Sequence, residues 1–159
     1  MTKPSVFDPD EWTLIVRVPR WVVNGASIAE RHNANRTRKK VEAGFIAIAE
    51  GRSTGNVFVR EVAQSCMEFF DTTLAQTGIK AAEPELAVAT VLERVGAAAR
   101  AVRAKAVPAD AAAYCQWLLT ITDVVINAGQ SDGVLGFGKV QVTPAELRFR
   151  EQMALALRS

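Results

Sequence analysis

Three glycines fall within six positions of the segment SDGVLGFGKVQVTPAELR, which runs from Ser131 to Arg148. Glycine-rich loops that open helices can cradle phosphate through their backbone amides. Here the order is G-x-x-G-x-G, at Gly133, Gly136 and Gly138, and neither common nucleotide-binding order is present. The intervening residues are largely apolar, so the pattern favours a connection packed over the end of a helical bundle. Phosphate, metal and partner binding remain the alternatives.

A second candidate is the basic segment RHNANRTRKK, residues 31–40. Its five cations and absence of acids could meet phosphates, an anionic lipid surface or an acidic protein. No aromatic residue accompanies them for base stacking, and no nucleic-acid-binding motif surrounds them. The sequence therefore favours a solvated loop and helix start, and we do not expect nucleic-acid binding. The candidate anion-binding residues are Arg31, Arg36, Arg38, Lys39 and Lys40.

Residues for covalent or acid–base catalysis are sparse. His32 is the single histidine, and Cys66 and Cys115 each lie in an apolar stretch. A nucleophile needs a base to activate it, and no such set can be assembled here. We therefore expect two reduced, buried thiols, no cofactor and no enzymatic activity.

Two capping signatures mark helix starts. In FDPDEW, Asp8 is a cap residue, Pro9 leads the helix and Glu11 closes a capping box. In VTPAEL, Thr143 and Glu146 have the same relation around a proline. Because such boxes satisfy backbone amides that the first helical turn leaves unpaired, both predict helix N-termini.

Apolar residues at helical spacing predict about six helices and no strand. The first begins at Pro9 and carries Val18 and Trp21 on its inner face, with a kink expected at the interior Pro19. The inner face of the second is predicted at Val41, Phe45 and Ile48. The weakly charged fourth helix is predicted to be central. The expected ranges after the first helix are 36–50, 57–77, 84–105, 108–129 and 144–159.

The apolar helix that ends near SDG, the loop after it and the capped helix with an early glutamate resemble the tellurite-resistance TerB-like family of small bacterial all-helical domains. The resemblance covers mainly residues 117–157, with a fainter echo over 12–50. It implies an all-helical fold and a divalent metal held by acidic residues at helix ends. By position, those residues are Asp132 and Glu146.

Together these patterns predict one all-α domain over residues 1–159, with 1–7 as a flexible N-terminal segment. A chain of this length buries a sizeable core, and a formal charge of +2 indicates no strongly charged partner. No apolar run suits a signal peptide or a membrane span, so we expect a cytoplasmic protein. The predicted function is a non-enzymatic binding or interaction module whose partner is another protein or a second copy. The alternatives are a TerB-like metal-binding stress domain and an anion-binding or nucleic-acid-binding protein.

Overall fold

The computed structural model describes residues 1–30, 33–77, 86–128 and 142–159. These residues form an all-α bundle of six helices with no strand among them, as the sequence predicted. The ranges are α1 Pro9–Ile28, α2 Ala34–Glu50, α3 Val57–Thr77, α4 Val88–Lys105, α5 Pro108–Asn127 and α6 Pro144–Ala156. Short 3₁₀ turns at Pro4–Val6 and Gly51–Ser53 precede α1 and follow α2. None of the helices described is long and apolar enough to cross a membrane.

Helices α1 and α5 form the centre of the bundle, because each contacts the other and all four remaining helices. Helix α4, which was predicted to be central, packs mainly on α1, α6 and α5 in the described structure, so it contacts fewer helices closely than α1 and α5 do.

Helix α1 keeps an interior proline without an orphaned carbonyl. Pro19 has no N–H, so it cannot donate to the carbonyl of Ile15 four residues earlier. The fully buried hydroxyl of Tyr114, on α5, donates to that carbonyl at 3.0 Å. A side chain from the neighbouring helix thus replaces the missing backbone donor. The kink expected at Pro19 stays a prediction.

The buried face of α2 is centred on other residues than those predicted, although the predicted ones pack at its edge. Ile48 is buried, but Val41 and Phe45 are only partly buried, and the fully enclosed positions include Lys40 and Gly44. A Cβ added at Gly44 would lie 2.5 Å from Val23 and 2.8 Å from Val125. The missing side chain lets α2 approach α1 and α5 closely, and this approach sets the rotation of the helix.

Two residues of the N-terminal segment pack on the bundle, and the flexibility expected of residues 1–7 stays a prediction. Phe7 is buried against the aromatic core, and Thr2 is 4% exposed. The backbone N–H of Thr2 donates to the buried carboxylate of Asp110 at 2.8 Å, and the side chain of Asn56 donates to its other oxygen at 2.9 Å. Burial raises the pKa of Asp110, but these hydrogen bonds outweigh it and leave the pKa below its usual value.

Candidate functional site

The first turn of α6 is built as the sequence predicted. The hydroxyl of Thr143 accepts from the backbone N–H of Glu146 at 3.2 Å, and Glu146 Oε1 accepts from the backbone N–H of Thr143 at 3.2 Å. Helix α1 begins with the same reciprocal box between Asp8 and Glu11. Both predicted capping boxes are therefore confirmed.

Glu146 also belongs to a buried ion pair that the sequence did not indicate. Its Oε2 lies 2.5 Å from Lys40 Nζ, and both side chains are fully enclosed. The same ammonium donates to the carbonyls of Val125 at 3.3 Å and Ile126 at 3.0 Å, in the last turn of α5. All three N–H groups of Lys40 therefore have acceptors.

This arrangement suits the helix dipoles as well as the hydrogen bonds. The positive charge of Lys40 lies at the C-terminus of α5, where helix carbonyls lack partners, and the negative charge of Glu146 lies at the N-terminus of α6. Each charge is favourable at its own helix end. The pair joins α2, α5 and α6 at one point inside the bundle.

Of the two predicted metal residues, the structure describes only Glu146. Asp132 lies outside the described residues, and Glu146 is occupied by the ammonium of Lys40. Over the described ranges, no group of three or more histidine, cysteine, aspartate or glutamate side chains could hold a metal ion. A divalent-metal role for Asp132 and Glu146 stays a prediction.

Four of the five predicted anion-binding residues, Arg36, Arg38, Lys39 and Lys40, lie in the described part of the chain, and anion binding stays a prediction. Arg31 lies outside the described residues, and Lys40 points into the core, which corrects its place in an accessible basic patch. Arg36 and Lys39 are partly buried, whereas the exposed Arg38 bonds to Asn35 at 3.1 Å and lies 3.8 Å from Glu42. Consecutive helix positions point in different directions, so one ligand cannot meet all of them. The glycine-rich segment and His32 also lie outside the described residues.

A surface trough along α3 is the concave feature that the sequence did not indicate. Its first part is a groove of about 500 Å³ between the two 3₁₀ turns and α3, lined by Arg52, Arg60 and Glu61 among others. Its second part is a groove of about 240 Å³ between α1 and α3. Ser65 lines both grooves, so they continue along one face of α3, here called the α3 trough.

The second part of the trough has aromatic walls. Trp12 and Phe69 line it together with Arg17, whose guanidinium lies 5.4 Å from the centre of the Phe69 ring. Phe69 is 37% exposed. Arg17 also lies 4.7 Å from the centre of the Trp21 ring, and Arg94 covers the same ring at 4.3 Å. These cation–π contacts hold Arg17 at the edge of the trough.

The charged groups in the first part of the trough differ in their hydrogen bonds. Arg60 donates to the carbonyls of Thr54 and Gly55, and Arg52 donates to the carbonyl of Ala49 at 3.2 Å. Glu61 Oε2 is shielded from solvent and has no hydrogen-bond partner in the described part of the chain.

No protein-family model matches this sequence, and no curated protein or solved structure is significantly similar to it. The resemblance to the TerB-like family therefore stays a prediction.

Proposed function

We propose that this chain is a non-enzymatic helical module that binds a peptide segment of another protein in the α3 trough. The observation that carries the proposal is the continuity of the two grooves through Ser65. Between Val57 and Phe69 the trough follows α3 for about 18 Å, because an α-helix rises about 1.5 Å per residue. That length matches about five residues of an extended peptide.

The lining of the α3 trough suits a peptide better than a single small molecule. One end offers aromatic surface from Trp12 and Phe69, which would take an apolar anchor. The other end is polar and carries both signs of charge, with Arg52, Arg60 and Glu61. Peptide segments combine apolar side chains, charged side chains and backbone donors in this way.

The test uses a library of short random peptides, acetylated and amidated at their ends, with the full chain as bait. Ser65→Trp should block the trough at the junction of its two parts, and Gln116→Trp places the same ring on the exposed side of α5. Peptides selected by the unmodified protein should bind the Gln116→Trp variant equally and lose binding to the Ser65→Trp variant. Circular dichroism checks that both variants fold.

Selected peptides that bind all three proteins equally would contradict the proposal, as would a selection that returns no binder. Sedimentation equilibrium addresses the second occupant that the sequence suggested. A concentration-dependent dimer that Ser65→Trp abolishes would assign the trough to a second copy and overturn peptide binding.

A further inference from the structure

The buried carboxylate of Asp110 lies against the backbone nitrogen of Thr2. Asp110 is 8% exposed in the first turn of α5, and its Oδ2 accepts from the Thr2 N–H at 2.8 Å. Its Oδ1 accepts from the side chain of Asn56 at 2.9 Å. The N-terminal end of α5 favours a negative charge there. Both bonded donors are neutral amides, however, and among the described residues Asp110 has no ion pair.

The contacts of Thr2 begin at its backbone nitrogen. Thr2 is 4% exposed, and its hydroxyl accepts from the backbone N–H of Val107 at 2.9 Å, just before α5. Met1, by contrast, is 73% exposed. A chain that began at Thr2 would therefore keep both of these hydrogen bonds and would lose little buried surface with Met1.

We propose that the Met1–Thr2 peptide bond is hydrolysed and that the new ammonium of Thr2 forms an ion pair with Asp110. In this hydrolysis the hydroxyl of water adds to the carbonyl carbon of Met1, and the C–N bond breaks. The nitrogen of Thr2 takes up the other proton of water and the proton of the new carboxylic acid. Hydrolysis of this bond leaves the same ammonium on Thr2 whatever residues precede Met1.

The gain comes from charging a donor that is already in place. The nitrogen of Thr2 lies 2.8 Å from Asp110 Oδ2, so no rearrangement of the segment is needed to form the pair. A hydrogen bond between a charged donor and a carboxylate is about twice as strong as one between neutral groups. Because Asp110 is buried, solvent screens this attraction less than it screens a surface pair.

The burial of Thr2 also sets the order of events. A peptidase cannot reach an amide nitrogen that is enclosed and bonded to Asp110, so hydrolysis comes before the N-terminal segment docks on the bundle. Docking then encloses Thr2 and protects it from removal in its turn.

The first measurement is the intact mass of the full chain after production in a bacterial host. The folded protein should be lighter than the full sequence by one methionine residue, with Thr2 as its first residue. Folded protein that keeps Met1 would overturn the proposed hydrolysis.

The second measurement is urea unfolding of two chains, one kept intact by inhibiting methionine aminopeptidase and one that begins at Thr2. Asp110→Asn should raise the unfolding equilibrium constant of both chains, but by about fivefold more in the chain that begins at Thr2, since only that chain loses a charged donor's partner. Asp10→Asn is the matched control, because it removes an exposed carboxylate in the first turn of α1. Its effect should be the same in both chains.

Acetylation of the Thr2 amine tests the pair without changing Asp110. The acetyl group restores a neutral amide N–H at the same place, so it should lower the Tm of the chain that begins at Thr2. A Tm that acetylation leaves unchanged would overturn the ion pair, as would an equal effect of Asp110→Asn in both chains.

Discussion

Removing the hydroxyl of Tyr114 tests how the bundle tolerates a proline inside its central helix. Tyr114→Phe keeps the ring and its packing on Phe58, 6.2 Å away between centroids, but deletes the donor to the Ile15 carbonyl. Pro19 cannot supply another donor, so the buried carbonyl is left unsatisfied. The expected loss in the free energy of unfolding is about 1–3 kcal/mol, or several degrees in Tm for a chain of this length.

The measurement is equilibrium unfolding in urea, followed by tryptophan fluorescence and circular dichroism. Burial raises the pKa of the Tyr114 phenol well above its usual range, so the hydroxyl stays protonated and able to donate across the working pH range. Thr122→Val is the matched control. It also deletes a fully buried hydroxyl, but one that donates to the carbonyl of Leu118, whose place in mid-helix already gives it a backbone donor.

A double-mutant cycle gives the decisive comparison. Pro19→Ala restores an N–H at the position that can donate to Ile15, so Tyr114→Phe should cost less in that background. If Tyr114→Phe costs the same with alanine or proline at position 19, or no more than Thr122→Val, the compensation argument is refuted.

The remaining predictions concern the buried ion pair, a helix contact and the N-terminal tether. Lys40→Met or Glu146→Gln alone should each destabilise the fold by about 3–5 kcal/mol, and the double variant by less than their sum; additive losses in urea unfolding would contradict a direct pairing. Gly44→Ala should cost about 1–3 kcal/mol through overpacking, whereas Gly55→Ala, with no atom within 4 Å of the added Cβ, should be nearly neutral; equal thermal shifts would argue against close packing of α2. Because the pKa of Asp110 is lowered in the folded state, its stabilising contribution is present at neutral pH and lost as pH falls below the ordinary value of 3.8. Asp110→Asn should therefore flatten the acid limb of the stability–pH curve, and an unchanged limb would rule this out.

The helix starts could be predicted from the sequence because capping is local. The boxes at Asp8 and Thr143 need only residues within one turn, and both form as expected. The core face of α6 is also local in origin, since Phe149 and Met153 follow simple helical spacing and are buried. The start of α4 at Val88 has no side-chain cap, which left the boundary without a sequence signal.

The inner face of α2 could not be predicted, because a lysine and a glycine occupy it. Hydropathy assigns Lys40 to solvent and gives Gly44 no weight, so Val41 and Phe45 marked the edge of the buried face and not its centre. The acid that makes burial of Lys40 possible is 106 residues away in the chain. The residues near Lys40 in the sequence do not indicate that Glu146 is its partner.

One sequence signal for an important polar contact was available. An interior proline always leaves the carbonyl four residues earlier without its backbone donor. Pro19 could therefore have directed attention to Ile15, and Tyr114 is the single tyrosine of the chain, within an apolar helix. The α3 trough gave no comparable signal, because its walls come from α1, α3 and two short turns that only the tertiary fold brings together.

The Lys40–Glu146 pair also constrains how this sequence can change over time. A first substitution at either position leaves one buried charge without its partner. The resulting decrease in the free energy of unfolding is a large part of the total stability of an ordinary domain. Evolutionary exchange of the pair for apolar residues therefore has to cross a deep fitness valley, or to replace both residues almost together. Descendants of this chain should keep lysine and glutamate jointly or lose them jointly. The joint presence of lysine and glutamate at these two distant positions would then mark related proteins even where the rest of the sequence is no longer similar.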